Sequence, residues 1–199
     1  MNMMWWKQND EIPYTNREFM NIIKELVFEC PSSEQKKTKN GTYPNGKRKY
    51  KIEYKKVSKR GQDFKSRGVV GNYLNTILAQ IRRPLAKKGN FAVLESSGDV
   101  KAEFDRITNS SSLSDETFDV IVFKKHSNMT QTEAIYYYIR NAFAHGSFSV
   151  VGDVYFLESG KGADVKARIR LKESSIKDLI KLKNMEPSEI RKLQKIRTK

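Results

Sequence analysis

A single cysteine, Cys30, leaves this chain of 199 residues without an intrachain disulfide and without a zinc site built from thiolates. Such usage suits a reducing compartment. Histidine is almost as scarce. His126 and His145 are the whole supply, so any imidazole chemistry runs through one of them or both. No apolar run approaches the roughly 18 residues that span a bilayer, and the opening MNMMWWKQNDE lacks the long apolar core of a secretory leader. Acids are outnumbered, 23 against 38 Lys and Arg, and they are scattered, with no pair spaced for two-metal work. Asp115, Glu116 and Asp119 lie close together, but capping and solvation account for them. Only 38% of residues are hydrophobic, so a modest packed centre should carry polar arms or loops. These absences predict one domain over residues 1–199, cytoplasmic, holding no metal and no cofactor, and not bound to a membrane.

What the chain has in excess is positive charge. A net +15 and an isoelectric point near 9.8 concentrate polyanions at a surface, and RNA or DNA is the commonest partner of such a field. A merely soluble basic protein has the same composition. The charge is densest between Lys36 and Arg60, where eleven Lys or Arg stand against one acid, Glu53. Turn signals fall at Asn40-Gly41 and Asn45-Gly46, and Tyr50, Ile52 and Tyr54 then alternate with charged residues, which predicts a short strand within a basic loop. Lys47, Arg48, Lys49, Lys51, Lys55 and Lys56 can hold phosphates there while the tyrosines offer rings to bases. An edge strand kept soluble by lysines has the same pattern.

Apolar spacing of three and four predicts helices over 14–29, capped by Thr15 or Asn16, and over 63–83, closed by Arg82-Arg83-Pro84. A short strand at 91–95 and a helix at 99–107 follow. Residues 118–123 fit either a strand or a buried helical turn. Thr130-Gln131-Thr132-Glu133 is a capping box that opens a helix ending at Gly146. Beyond it, 148–151 and 154–157 form a hairpin about Gly152-Asp153, and a loose turn at 159–164 leads into the strand 165–172. That strand alternates Val165, Ala167, Ile169 and Leu171 with Lys166, Arg168, Arg170 and Lys172, one half buried and one half basic, a second candidate surface for RNA. A helix capped by Ser174 or Ser175 and another after Pro187 close the chain. Trp5 and Trp6 can stack a base or cover the core.

The helix 130–146 is the most aromatic run in the sequence. Ile135, Ile139, Ala142 and Phe143 make one apolar stripe, and Tyr137, Asn141, Ala144 and His145 make a more polar one flanked by Arg140. An imidazole moves protons near neutral pH, a guanidinium grips a phosphate with two parallel hydrogen bonds, and an amide can orient either. Arg140, Asn141 and His145 are therefore candidates for cleaving a phosphodiester in RNA. A histidine just before a terminal glycine also serves simply as a helix cap. His126, after Lys124-Lys125, reads as a surface loop residue.

The run Tyr138-Ile139-Arg140-Asn141-Ala142-Phe143-Ala144-His145-Gly146 resembles the signature of the HEPN superfamily. Its ribonucleases carry Arg, then a polar residue, then His after four to six intervening positions, near the end of a bundle helix. The resemblance implies a mainly α, up-and-down helical bundle over 14–29, 63–83, 130–146 and 174–183. Residues 31–62 would then be a basic insertion and 147–172 a β-hairpin insertion. It implies metal-independent endoribonuclease activity in a site shared across a homodimer, within toxin–antitoxin, abortive-infection or other antiviral defence, and a possible antitoxin or defence partner. Non-catalytic members bind nucleic acid, nucleotides or other proteins. Some HEPN toxins place Tyr two residues after the His; Ser147 stands there in this chain, so regulation by modification of that tyrosine is not carried over.

Overall fold

The run Val-Ile-Val-Phe at residues 120–123 is apolar at every position, and each of its side chains is fully buried. A strand of that kind must be covered on both faces. It forms β4 (Val120–Lys124) of a computed structural model that describes residues 16–29, 32–57, 64–65, 67–110 and 119–196. The parallel neighbour of β4 is β3 (Phe91–Leu94), reached through the crossover helix α3 (Val100–Ser110). On its other side runs the antiparallel β7 (Asp164–Lys172), followed by β6 (Val154–Lys161) and the edge strand β5 (Phe148–Val151), in the order β3-β4-β7-β6-β5.

Alternation along β4 sorts the layers. Val120 and Val122 pack with Val100, Phe104 and Ile107 of α3. Ile121 and Phe123 face the larger core, which takes Phe19 and Ile22 from α1 (Arg17–Ile23) and Ile77 from α2 (Asn72–Ala86). The same core takes Ile135 and Ile139 from α4 (Gln131–Ala144), Ile176 from α5 (Glu173–Asn184) and Ile190 from α6 (Pro187–Lys195). The protein is thus an α/β structure, in which the described residues form a mixed five-stranded sheet with one helix on one face and five on the other. The expected mainly α, up-and-down bundle does not form. Residues 148–172 supply three of the five strands, and β7 is the middle one, so this segment belongs to the core. The helices expected to form a bundle by themselves do touch one another, but together they cover one face of a sheet.

Other boundaries differ for local reasons. Asn16 caps α1, its side chain accepting from the amides of Glu18 and Phe19. The helix then widens into a π-helical turn (Lys24–Phe28). Fully buried Lys183 donates to both the Glu25 carbonyl and the Glu25 carboxylate at that turn. α2 starts only after Gly71, at a φ of +52°, and runs through Pro84 instead of stopping before it. The loose turn expected at 159–164 is a tight one, with a bulge at Ser159/Gly160 and the corner at Gly162-Ala163. Lys172, not Ser174 or Ser175, stands at the N-cap of α5, and Asp119, just before β4, accepts from the Lys172 amide and the Ser175 hydroxyl and so ties the start of α5 to β4. Cys30, Trp5, Trp6, Asp115 and Glu116 lie outside the described residues.

The basic segment forms more regular structure than expected. β1 (Ser32–Thr42) and β2 (Arg48–Val57) pair antiparallel as a two-stranded sheet separate from the central one.

Candidate active site on the outer face of α4

Three hydroxyls fix the rotation of α4 about its own axis. Thr132 donates to the Leu74 carbonyl of α2 at 2.7 Å, and Tyr136 to the Leu179 carbonyl of α5 at 2.8 Å. Tyr138 donates to the Lys124 carbonyl at the end of β4, at 3.0 Å. Each reaches a different element. Burial pushes the Tyr138 hydroxyl up to about 12, with the neighbouring Tyr137 and Asp164 adding to the effect, so it stays a neutral donor. With those three anchors and the apolar stripe turned inward, the positions left towards solvent are Gln131, Glu133, Tyr137, Arg140, Asn141 and Ala144, all half-buried or exposed.

Both ends of α4 obey local chemistry. At the start, Thr130 Oγ1 accepts from the Glu133 amide, and Glu133 accepts from the Thr130 amide at 2.9 Å. At the end, Ser147 N donates to the Ala142 carbonyl at 2.8 Å and Gly146 N to the Phe143 carbonyl at 3.2 Å. Gly146 takes a φ of +67° to close this pair, a conformation that costs a side-chain-bearing residue about 1 kcal/mol or more. His145 is the cap residue, with φ −98° and ψ 5°, and its imidazole is exposed.

Within this frame Arg140 and Asn141 come together. Arg140 Nη1 donates to Asn141 Oδ1 at 3.0 Å, while Nε of the same guanidinium is buried with no hydrogen-bond partner. The amide is thus an orienter of the guanidinium. His145 is tied to Asn141 only through the backbone, its amide donating to the Asn141 carbonyl at 3.0 Å. Five residues of helix turn His145 about 140° away from Arg140 around the axis. The two residues thus leave the helix on opposite sides of Asn141.

The other histidine borders the same face. His126, in the loop between β4 and α4, sets its ring edge-on to Tyr137 at 5.3 Å between centroids. Its Nδ1 accepts from the Asn128 amide at 3.3 Å, which leaves Nε2 to carry the proton of the neutral ring. Sequence spacing has no means of finding this contact, because the loop alone returns His126 to the outer stripe of α4.

The basic residues divide. Lys47 and Arg48 are exposed at the tip of the β1–β2 hairpin, and the Lys49 ammonium sits 4.5 Å from the centroid of the Tyr43 ring. Lys51, Lys55 and Lys56 lie along β2, and their side chains are outside the described part of the structure. Lys166 pairs with Asp164 at 2.8 Å, and Lys172 is half-buried. Arg168 and Arg170 are 8% and 6% exposed, so neither is available to guide RNA. The period of two along β7 is as expected, but α3 covers the basic face as well. Arg168 Nε bonds Glu158 at 2.8 Å, and its Nη1 lies 3.5 Å from Asp105 of α3.

Among the described residues, no group of three or more His, Cys, Asp and Glu side chains gathers as a metal would require, and no helix is long and apolar enough to cross a membrane. A cavity of about 110 Å³ between α2, α5 and the sheet has no lining residue from α4. Comparison with protein-family models, with curated proteins and with solved structures returns no match, so the resemblance carried by residues 138–146 rests on those residues alone.

Proposed function

We propose that the protein is an endoribonuclease whose chemistry is carried by Arg140, Asn141 and His145 on the outer face of α4. The observation that carries this reading is the guanidinium of Arg140, steered by Asn141 at 3.0 Å on the half-exposed side of a helix whose last turn presents His145. In the reaction, the 2′-oxygen of the RNA attacks the adjacent phosphorus and the bond from phosphorus to the 5′-oxygen breaks. One His145 imidazole takes the proton of the 2′-hydroxyl, and the second chain's His145, as imidazolium, gives a proton to the departing 5′-oxygen. The products are a 2′,3′-cyclic phosphate and a free 5′-hydroxyl. Arg140 neutralises the charge that grows on the phosphate oxygens. Proton transfer of this kind contributes about 10²–10⁴-fold, and one charge-stabilising donor about 10²–10³-fold.

Arg140 and His145 diverge in one chain, so the proposal includes a homodimer in which two α4 helices face each other and one chain's Arg140 meets the other's His145. The setting proposed is a cytoplasmic toxin or antiviral defence protein held in check by a partner. The resemblance to HEPN ribonucleases enters through the motif on α4 and not through the fold.

A second reading, binding of nucleic acid without cleavage, is favoured by that same divergence and by the net charge of +15. Incubating purified protein with RNA in EDTA, as wild type, Arg140→Ala and His145→Ala, separates the two. Cleavage by wild type with a loss of at least about 100-fold in each variant supports the enzyme. An inert wild type, or variants that cut normally, defeats it.

A further inference from the structure

The β1–β2 hairpin poses a physical problem. An isolated two-stranded ribbon is marginal in water, and this one is long, with eleven residues in β1, or ~35 Å at about 3.3 Å per residue. Residues 32–57 hold nine Lys or Arg and two acids. The register sets both acids opposite lysines, Glu34 against Lys55 and Glu53 against Lys36. The remaining cations stand opposite neutral residues or lie at the tip, as with Lys37 opposite Ile52 and Lys39 opposite Tyr50. Such a ribbon repels itself until a polyanion neutralises it.

Its tip is ordered and aromatic. The Gly46 amide donates to the Tyr43 carbonyl at 2.9 Å, and the Tyr43 amide donates to the Lys47 carbonyl at 2.7 Å. The Lys47 amide in turn donates to the Asn45 side chain at 3.1 Å. Gly46 takes a φ of +78°, which lets the ribbon return on itself. This closed turn holds out Tyr43, 50% exposed, with the Lys49 ammonium against its ring and Lys47 and Arg48 exposed beside it. Half of the ring's surface stays open at the tip, with cations beside it. Its geometry is that of a platform for a base whose own face is open. Bases within a duplex are already stacked on both sides and cannot use it.

We infer that the β1–β2 hairpin is a binding arm for single-stranded nucleic acid, in which Lys47 and Arg48 hold phosphates and Tyr43 stacks on an unpaired base at the tip. The arm does not depend on α4 being catalytic, and its test reads binding alone. The probes are a fluorescein-labelled single-stranded RNA, the same strand as DNA, and the RNA annealed to its complement. Anisotropy is measured with the full chain carrying His145→Ala, so that no probe is cut. Tyr43→Ala and Tyr43→Leu are expected to weaken both single strands on the order of 5- to 100-fold and to leave the duplex unchanged, while Tyr43→Phe keeps full affinity. Arg48→Ala weakens all three probes and reduces the salt slope by about one. Undiminished single-strand binding by Tyr43→Ala overturns the inference, as does an equal loss on the duplex or a protein that binds only duplex.

Discussion

Arg140 Nη1 donates to Asn141 Oδ1 at 3.0 Å across adjacent positions of α4, and Nε of the same guanidinium is buried without a partner. Neighbours in a helix diverge by about 100°, so the bond draws the guanidinium round towards Asn141. The amide thereby sets where Arg140 points without itself needing to touch a phosphate.

If so, Asn141 acts through position. Asn141→Ala is expected to lower kcat for RNA cleavage by about 10-fold or more with little change in KM, and Arg140→Ala by about 10²–10³-fold. Asn141→Asp keeps the acceptor and should recover most of the loss. Initial rates over a range of RNA concentrations measure all three, and a Asn141→Ala enzyme with wild-type kcat removes the positioning role.

The hydroxyl anchors of α4 make a prediction about stability. Tyr136 is 1% exposed and its hydroxyl satisfies the Leu179 carbonyl. The Leu179 carbonyl keeps its own helical bond in α5, so Tyr136→Phe removes one buried hydrogen bond and should cost about 0.5–1.5 kcal/mol. Urea denaturation, read as a lower midpoint at constant slope, is the measurement. Thr132→Val, which removes the second bond to the Leu74 carbonyl of α2, should behave alike.

Alkaline pH should unfold the protein through two tyrosines. Burial pushes Tyr155 up to about 12, with the nearby Glu173 carboxylate adding to it, and Tyr138 is raised to the same value, chiefly by burial. In the unfolded chain both ionise near 10. Between those values the unfolded chain binds fewer protons than the folded one, so stability falls as pH rises. The contribution is fully present below about pH 10 and is lost as pH passes about 12. Urea midpoints across that interval should slope downward, less steeply in Tyr155→Phe, and a flat profile speaks against the assignment.

Arg168 should matter for folding and not for RNA. It is 8% exposed and paired with Glu158, so Arg168→Met leaves a nearly buried carboxylate without that partner and should cost about 3–5 kcal/mol. Nucleic-acid affinity and its salt slope, measured where the variant is still folded, should equal those of wild type. Arg48, exposed at the hairpin tip, should show the reverse. A reduced salt slope in Arg168→Met returns that side chain to the binding surface.

The outline of α4 was readable in the sequence because both ends are local. A Thr and a Glu three residues apart satisfy each other's amides, and Gly146 supplies the one backbone conformation that ends the helix there. The Gly152-Asp153 corner and the alternation along β7 are equally local. Patterning of that kind reports which residues share a face. It is silent on what covers the face. The basic side of β7 looked like surface because Arg168 is far in sequence from Asp105, its partner 63 positions away on α3. For the same reason patterning alone makes residues 164–172, the middle strand of the sheet, resemble an insertion into a helical bundle.

What the sequence alone determined is therefore the set of side chains on the working helix and where that helix starts and stops, since these depend on contacts within a turn. The tertiary structure decided which way the helix faces, through Leu74, Leu179 and Lys124. It also decided which cations meet solvent, because burial depends on what the chain brings back from far along its length.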